Sequence, residues 1–321
     1  MKRSLLKTLV TALMFGALSL SATFAEEYPD RRLTLVVGFA AGSGADVLTR
    51  YYASKLSLEV GQPVIVENRP GANGALAVQA VLQSKPDGYT LLFAPSASMS
   101  GGKFLYANHA YDSQKDFVVA VPLLDNGFVL AVGANSPVHS VAELTALLKS
   151  KPTARYGTAN STGIAAAQLY KTLAGVTATQ VAYRTTADAL PDLADGTLDF
   201  MFLDGVFALS QLKTGKVRLL ATVGSRMEAA PDVPTMEEAG LKGYNFSVWW
   251  MIALPAATPK EPVDRLNAAF NRISKMPETK SFLASAAATP LTGTPQEMVG
   301  KLARDIETWR ELARAGGIKP Q

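Results

Sequence analysis

Short apolar, β-branched runs alternate with segments of helical spacing along most of the chain. Leu33-Thr34-Leu35-Val36-Val37 has the length and branching of a buried strand. Phe39-Ala40-Ala41-Gly42-Ser43-Gly44 breaks it, and the spacing predicts a helix over Asp46–Leu58. Pro63–Glu67 reads as the next strand and Asn68-Arg69-Pro70-Gly71-Ala72-Asn73-Gly74 as a loop dense in turn residues. Ala75–Ser84 reads as a helix ending before Pro86-Asp87-Gly88, and Tyr89–Phe93 as a strand. This βαβαβ rhythm predicts a parallel sheet with helices on both faces.

The rhythm then restarts. Val118–Leu124 and Phe128–Val132 read as strands, and Val141–Lys149 as a helix capped by Ser140. Arg155-Tyr156-Gly157 opens a second strand-loop-helix unit whose helix is Ser161–Ala174. Gln180–Tyr183, Leu198–Phe202, Val217–Thr222 and Phe246–Leu254 supply further strands. Pro262–Lys275, Pro277–Ala287 and Pro295–Ala315 close the chain as helices, each with a proline at or near its start.

The first 25 residues follow a different pattern. Lys2, Arg3 and Lys7 precede an apolar run from Leu9 to Leu20, and Ser21-Ala22-Thr23-Phe24-Ala25 ends it with a small-x-small site. That is the layout of an export signal cleaved after Ala25. The run is too short to cross a hydrocarbon core, which needs about 20 residues. Export predicts a soluble periplasmic product, because no cysteine is present to carry a lipid anchor.

Composition changes the picture in two places. The 321 residues hold 31 Lys+Arg against 27 Asp+Glu, but cleavage removes three of the basic residues and leaves 28, so the exported chain is nearly neutral. Non-specific nucleic-acid binding needs clustered cations, and no basic stripe is present. The absence of cysteine rules out disulfides and thiolate zinc sites. Neither a metal site nor a cofactor is expected.

Two loops carry the candidate chemistry. Phe39–Asp46 is a glycine-rich turn between a strand and a helix, where unpaired backbone N–H groups and the helix dipole favour an anion. It reads equally as an ordinary tight turn, with Asp46 capping free N–H groups. It lacks the later glycine of the dinucleotide fingerprint, since Val47 stands there, and no Gly-x4-Gly-Lys-Ser/Thr motif exists. Thr158-Ala159-Asn160-Ser161-Thr162-Gly163 has the same setting in the second half. It reads as a plain N-cap, as a second anion-ready tip, or as a near miss to the nucleophile elbow with Ser161. A Ser161 nucleophile needs a base, and the chain offers only His109 and His139, both in polar surface settings.

Four segments, Tyr28-Pro29-x-Arg31-Arg32, Val37–Asp46, Val66–Gly74 with its Glu67-Asn68-Arg69-Pro70-Gly71, and Pro86-Asp87-Gly88-Tyr89-Thr90-Leu91-Leu92, closely resemble the Bug family, the substrate-binding proteins of tripartite tricarboxylate transporters. Ser140-Val141-Ala142-Glu143-Leu144, Pro231–Thr235 and Thr258-Pro259-Lys260 agree in the same order.

The resemblance implies an α/β, two-lobed periplasmic-binding-protein fold of type II, a Venus flytrap in which each lobe is a sheet flanked by helices. It places lobe one at 26–121 and 245–321 and lobe two at 122–244. It implies a receptor without enzymatic activity, and a monomer, that closes on a small organic acid and presents it to membrane permease subunits. Presentation to a sensor instead of a permease is the alternative, and serine hydrolysis a distant one.

Carried onto this chain, the ligand contacts implied are Phe39, Ala41, Gly42, Ser43, Gly44 and Asp46 on one wall, with Asn160, Ser161 and Thr162 on the other. Ser96 and Ser98 are further contacts or a solvated turn. Two departures from the family bear on the ligand. Arg184 could fork onto a distal carboxylate or stand as a solvated surface residue. Asp204, if it faces the cleft, would repel such a carboxylate. The two pull in opposite directions, and the acid stays unnamed.

Overall fold

The computed structural model describes residues 28–71, 74–107, 109–224, 226–244, 248–315 and 320. The expected signal segment, residues 1–25, lies outside them. Two sheets divide the described chain. The first runs in the order β11 (Ala288–Pro290), β4 (Phe117–Asn126), β10 (Trp249–Pro255), β3 (Thr90–Pro95), β1 (Leu33–Val37) and β2 (Val64–Asn68). The second runs β7 (Thr179–Ala182), β6 (Arg155–Thr158), β8 (Phe200–Asp204), β5 (Phe128–Gly133) and β9 (Val217–Val223).

Each sheet is apolar on both faces because helices cover both. In the first, Leu35 and Val37 pack with Leu48, Tyr52 and Leu56 of α1 (Gly44–Val60), at the i, i+4, i+8 spacing of one helix face. Val263, Leu266, Phe270 and Ile273 of α8 (Lys260–Lys275) and Leu283 of α9 (Pro277–Ser285) join that face. Val36, between them in sequence, points to the other face. It meets Val78 and Val81 of α2 (Ala75–Leu82) and Met298, Leu302 and Ile306 of α10 (Pro295–Ala315). Burying each such large side chain stabilises the fold by roughly 1.5–3 kcal/mol.

The second sheet repeats the plan. Helices α4 (Val141–Ser150) and α5 (Ser161–Ala174) cover one face, through Leu144, Leu148 and Tyr170. Helices α6 (Thr186–Ala194) and α7 (Gly205–Lys213) cover the other, through Ala189, Leu193 and Ala208.

The βαβαβ segment forms the expected parallel arrangement, but only part of each complete sheet is parallel. β2-β1-β3 and β7-β6-β8 are parallel, whereas β10 and β11 run antiparallel to β4, and β5 runs antiparallel to β8 and β9. The reason is topological: the chain leaves the first sheet and later returns, so β5 and β10 join their sheets from the opposite end. The first passage is at Gly127, because β4 belongs to the first sheet as far as Asn126, beyond the expected boundary at 121. The second spans 224–248. The passages are stitched together. The Asn126 N–H donates to Val248 O at 2.7 Å, the Gly127 N–H to Ala287 O at 3.0 Å, and the Gly205 N–H to Gly127 O at 2.8 Å.

Five elements are not legible in the apolar pattern: α6, α7, β11, a π-helical turn at Ala97–Gly101, and α3 (Gly102–Leu105), into which that turn runs. Among the described residues, no helix is long and apolar enough to cross a membrane.

Candidate functional site

The loop after β1 is fixed by a buried acid and an asparagine from the next loop. Ser43 caps α1, its Oγ accepting the Asp46 N–H at 3.2 Å. Gly42 adopts φ +80°, a conformation that favours glycine, and its N–H donates to Asp46 Oδ2 at 2.9 Å. Arg50 Nε donates to the same oxygen at 2.9 Å, and Asn68 Nδ2 to Asp46 Oδ1 at 2.8 Å. Asn68 Nδ2 also donates to Phe39 O at 3.0 Å. Burial works to raise the Asp46 carboxyl, but the Arg50 guanidinium, the Gly42 N–H and the Asn68 amide outweigh it and hold the group below its ordinary range. Asp46 and the Gly42 amide are therefore engaged within the loop itself, as the ordinary-turn alternative expects. Asn68, in the Glu-Asn-Arg-Pro-Gly motif, explains why that motif accompanies this loop.

The opposite wall comes from the second sheet. β6 ends at Thr158 and Asn160 caps α5, with Oδ1 accepting the Gly163 N–H at 2.8 Å. Beside it, β7 leads through Tyr183 and Arg184 to Thr185, the cap of α6. Thr185 Oγ1 accepts the Asp188 N–H at 3.2 Å, while the Thr185 N–H donates to Asp188 Oδ2 at 3.0 Å, a complete capping box. The Tyr183 hydroxyl donates to Asp192. Burial and that carboxylate push its pKa up to about 12, so it stays protonated.

These walls enclose a cleft of about 190 Å³. Gly38, Phe39, Ala40 and Ser43 line it on one side, with Pro70, Gly71 and Gly74 beside them; Ala159, Asn160 and Tyr183 to Thr186 line it on the other. Three helix N-termini thus meet at one space. Each cap spends an acceptor lone pair on its own helix and keeps a donor: the Ser43 O–H, the Asn160 NH2 and the Thr185 O–H. Donors together with helix dipoles favour a negatively charged group.

Of the residues nominated from sequence, Phe39, Ser43, Asn160 and Arg184 line this cleft, and none of the other nominated residues with described side chains is in its lining. Ala41 and Gly42 form an exposed turn beside it. Ser96 is buried and its Oγ accepts the Trp249 N–H at 3.3 Å, while the Ser98 carbonyl accepts the Tyr111 hydroxyl at 2.7 Å, so both belong to the packing around the π-helical turn. Thr162 is fully buried behind the α5 tip. Ser161 opens α5, and its side chain lies outside the described atoms.

Gly44 and Asp204 meet each other. Asp204 caps α7, its Oδ1 accepting the Phe207 N–H at 2.9 Å, and the carboxylate presses against Gly44 across the two sheets. A Cβ at Gly44 would come within 1.9 Å of Asp204 Oδ1 and 3.0 Å of Val206 Cβ. Burial pushes the Asp204 carboxyl up to about 6. Asp204 is therefore a contact between lobes and does not line the cleft, which removes the repulsion expected from it.

The cleft residues not nominated from sequence are Gly38, Ala40, Pro70, Gly71, Gly74, Ala159, Tyr183, Thr185 and Thr186. Thr185-x-x-Asp188 is a capping-box pattern and marks the third helix tip without a structure. His109 packs at a tilt against Tyr111, with ring centroids 4.0 Å apart, and His139 stands just before α4 with its backbone N–H donated to Glu143 Oε2. Neither lines the cleft.

A larger groove of about 530 Å³, bounded by Tyr28, Glu59, Arg265 and Arg272, lies on the outside of the first lobe. Its arginines are already engaged: Arg272 with Glu59, and Arg265 with Glu261 and the Tyr28 carbonyl. No loop of the second lobe is among the residues that line it.

Two lobes joined by adjacent chain passages, with a donor-lined cleft between them, define a binding protein of the Venus-flytrap class. Residues 48–318 match the family described as "Tripartite tricarboxylate transporter family receptor", and the chain belongs to that family of periplasmic substrate-binding receptors, which are not enzymes. It is 33% identical to a UPF0065 protein of Bordetella bronchiseptica, over 99% of this chain and 95% of that one. It is 30% identical to Protein BugT of Bordetella pertussis, over 92% of each. Among solved structures, Rpa4515 of R. palustris with adipate superposes with a TM-score of 0.87 at 31% identity, over 92% of this chain and 100% of that one. BugD superposes at 0.85 with 27% identity, over 92% and 100%. MatC of Rhodopseudomonas palustris with bound malate superposes at 0.83 with 29% identity, over 89% and 100%.

Proposed function

We propose that this chain is exported, loses residues 1–25, and works in the periplasm as the receptor that binds a small carboxylated acid in the cleft and hands it to the permease of a tripartite tricarboxylate transporter. The observation that carries this reading is the convergence of the Ser43, Asn160 and Thr185 caps on one cleft, each with a donor left over. The adipate and malate held by two similar proteins support a carboxylate as the ligand. No bond chemistry is involved. Ligand touches both lobes only when they are closed, so binding favours closure by that difference in contact.

A thermal-shift panel of mono-, di- and aromatic carboxylates tests the reading. An acid at about 100 times its dissociation constant should stabilise the protein by roughly 2.7 kcal/mol. Asn160→Asp sharpens the test, because aspartate keeps the α5 cap while exchanging an amide donor for a negative charge. The variant should melt close to the wild type and lose the acid response. A panel without any shift, or an Asn160→Asp protein that responds as the wild type does, argues against the cleft as an acid site.

A further inference from the structure

Two buried polar side chains at the junction of the lobes have no partner among the described residues. Asn126, the last residue of β4, is 1% exposed, and both ends of its amide are unbonded. Trp250, in β10 and equally buried, has an unbonded indole N–H. Their counterparts elsewhere are engaged: Asn68, Asn160, Asn267 and Asn271 all bond through their side chains, and the Trp249 indole donates to Asp305. Buried groups left without a partner are rare in folded proteins.

The two share one face of the first sheet. Trp250 is registered with Leu124 and Trp249 with Asp125, and the Asn126 N–H donates to Val248 O. Asn126 and Trp250 are therefore diagonal neighbours, roughly 7–8 Å apart between α-carbons. Asp125 and Trp249 point to the other face, toward Lys301 and Asp305 of α10. The Trp250 ring packs on Phe39, with centroids 5.3 Å apart, and Phe39 lines the cleft. The polar pair thus lies one layer beneath the cleft, beside Gly127, where the chain first passes between lobes.

We propose that Asn126 and Trp250 form a neutral specificity subsite beneath Phe39, which takes a hydroxyl group at the end of the ligand remote from the carboxylate on the N-caps. This rests on the acid-binding reading above and narrows it to hydroxylated acids. The subsite offers the indole N–H and the amide NH2 as donors and the amide oxygen as acceptor. A hydroxyl is the smallest group that accepts from one and donates to the other. A carboxylate could not use the Asn126 oxygen, and a methyl group would leave all three atoms unpaired. A site built to bond a hydroxyl discriminates against the analogue that lacks it, because its own polar groups then stay unsatisfied.

Matched pairs test the assignment by calorimetry: butyrate with 4-hydroxybutyrate, hexanoate with 6-hydroxyhexanoate, and benzoate with 4-hydroxybenzoate. In the wild type, at least one hydroxylated acid should bind about 10- to 100-fold more tightly than its plain partner, the range expected when buried polar groups gain their bonds. Trp250→Phe removes the indole N–H and keeps an aromatic ring under Phe39, and Asn126→Leu removes the amide at similar size. Each should reduce the preference to less than about threefold. Neither touches the caps, so affinity for the plain acids should change by less than about threefold. Should Asn126→Leu not fold, Trp250→Phe carries the test alone. Equal affinity within every pair, or a hydroxyl preference that survives in Trp250→Phe or in a folded Asn126→Leu, overturns the subsite and leaves acid binding in place. Failure of every acid to bind overturns both.

Discussion

Replacing Gly44 by alanine is expected to weaken acid binding about 10- to 100-fold while leaving each lobe folded. Gly44 is the first residue of α1, and alanine is a better helix former than glycine, so the helix itself gains. The obstacle lies across the lobes. The new Cβ would sit 1.9 Å from Asp204 Oδ1, 2.8 Å from its Cγ and 3.0 Å from Val206 Cβ. Asp204 cannot simply swing away, because its Oδ1 caps α7 through the Phe207 N–H. Relieving such an overlap costs about 1–3 kcal/mol, and the cheapest relief is to hold the lobes apart. Each 1.4 kcal/mol is about a factor of ten in affinity. Calorimetry of the variant with the acid that binds the wild type checks this. Unchanged affinity would mean that the Gly44–Asp204 approach has no part in the bound state.

Asp204→Asn is expected to stabilise the protein at pH 7.5 by about 1–3 kcal/mol and at pH 4.5 by only about a third as much. Asparagine caps a helix as well as aspartate does, so α7 keeps its partner while the charge goes. Burial has raised the Asp204 carboxyl to about 6, against about 3.9 for a free aspartate. Between those values the folded protein holds more protons than the unfolded chain, so the group's penalty grows as pH rises through about 4 to 6 and is complete above that window. At about 1.36 kcal/mol per pKa unit the penalty is at most about 3 kcal/mol. Burial also raises Asp125 to about 6 against the pull of Lys301, and lifts Asp305 against the Trp249 hydrogen bond and Lys301. Both proteins share those groups, so the difference between their melting curves isolates Asp204. A difference that is flat from pH 4.5 to 7.5 would contradict the assigned environment.

Local chemistry makes much of this fold readable. β1, β3, β5 and the helices with a single apolar face follow from side-chain period alone, and Ser43 and Asn160 stand where capping residues must stand at a strand-to-helix turn. Helix α6 is hidden because Pro191 lies inside it, and α7 because β8 passes into it at Asp204-Gly205 without a loop. The antiparallel halves of the sheets depend on the chain crossing between lobes twice, a non-local fact with no signature in any window of sequence. The same holds at the site. Asp46 and Asp204 are both acids at helix tips, and although a capping role for Asp46 is readable locally, the sequence offers nothing to show that Asp204 meets the opposite lobe. Thr185 differs from them: its spacing to Asp188 marks a cap locally, but only the fold brings that cap opposite Ser43.

The most direct measurement is a crystal structure of the protein with the acid that gives the largest thermal shift. A carboxylate of that acid should lie within hydrogen-bond distance of Asn160 Nδ2 and of the Ser43 hydroxyl, with both lobes in contact with the ligand. An acid seated instead in the outer groove of Tyr28, Arg265 and Arg272, or one touching a single lobe, would contradict the account.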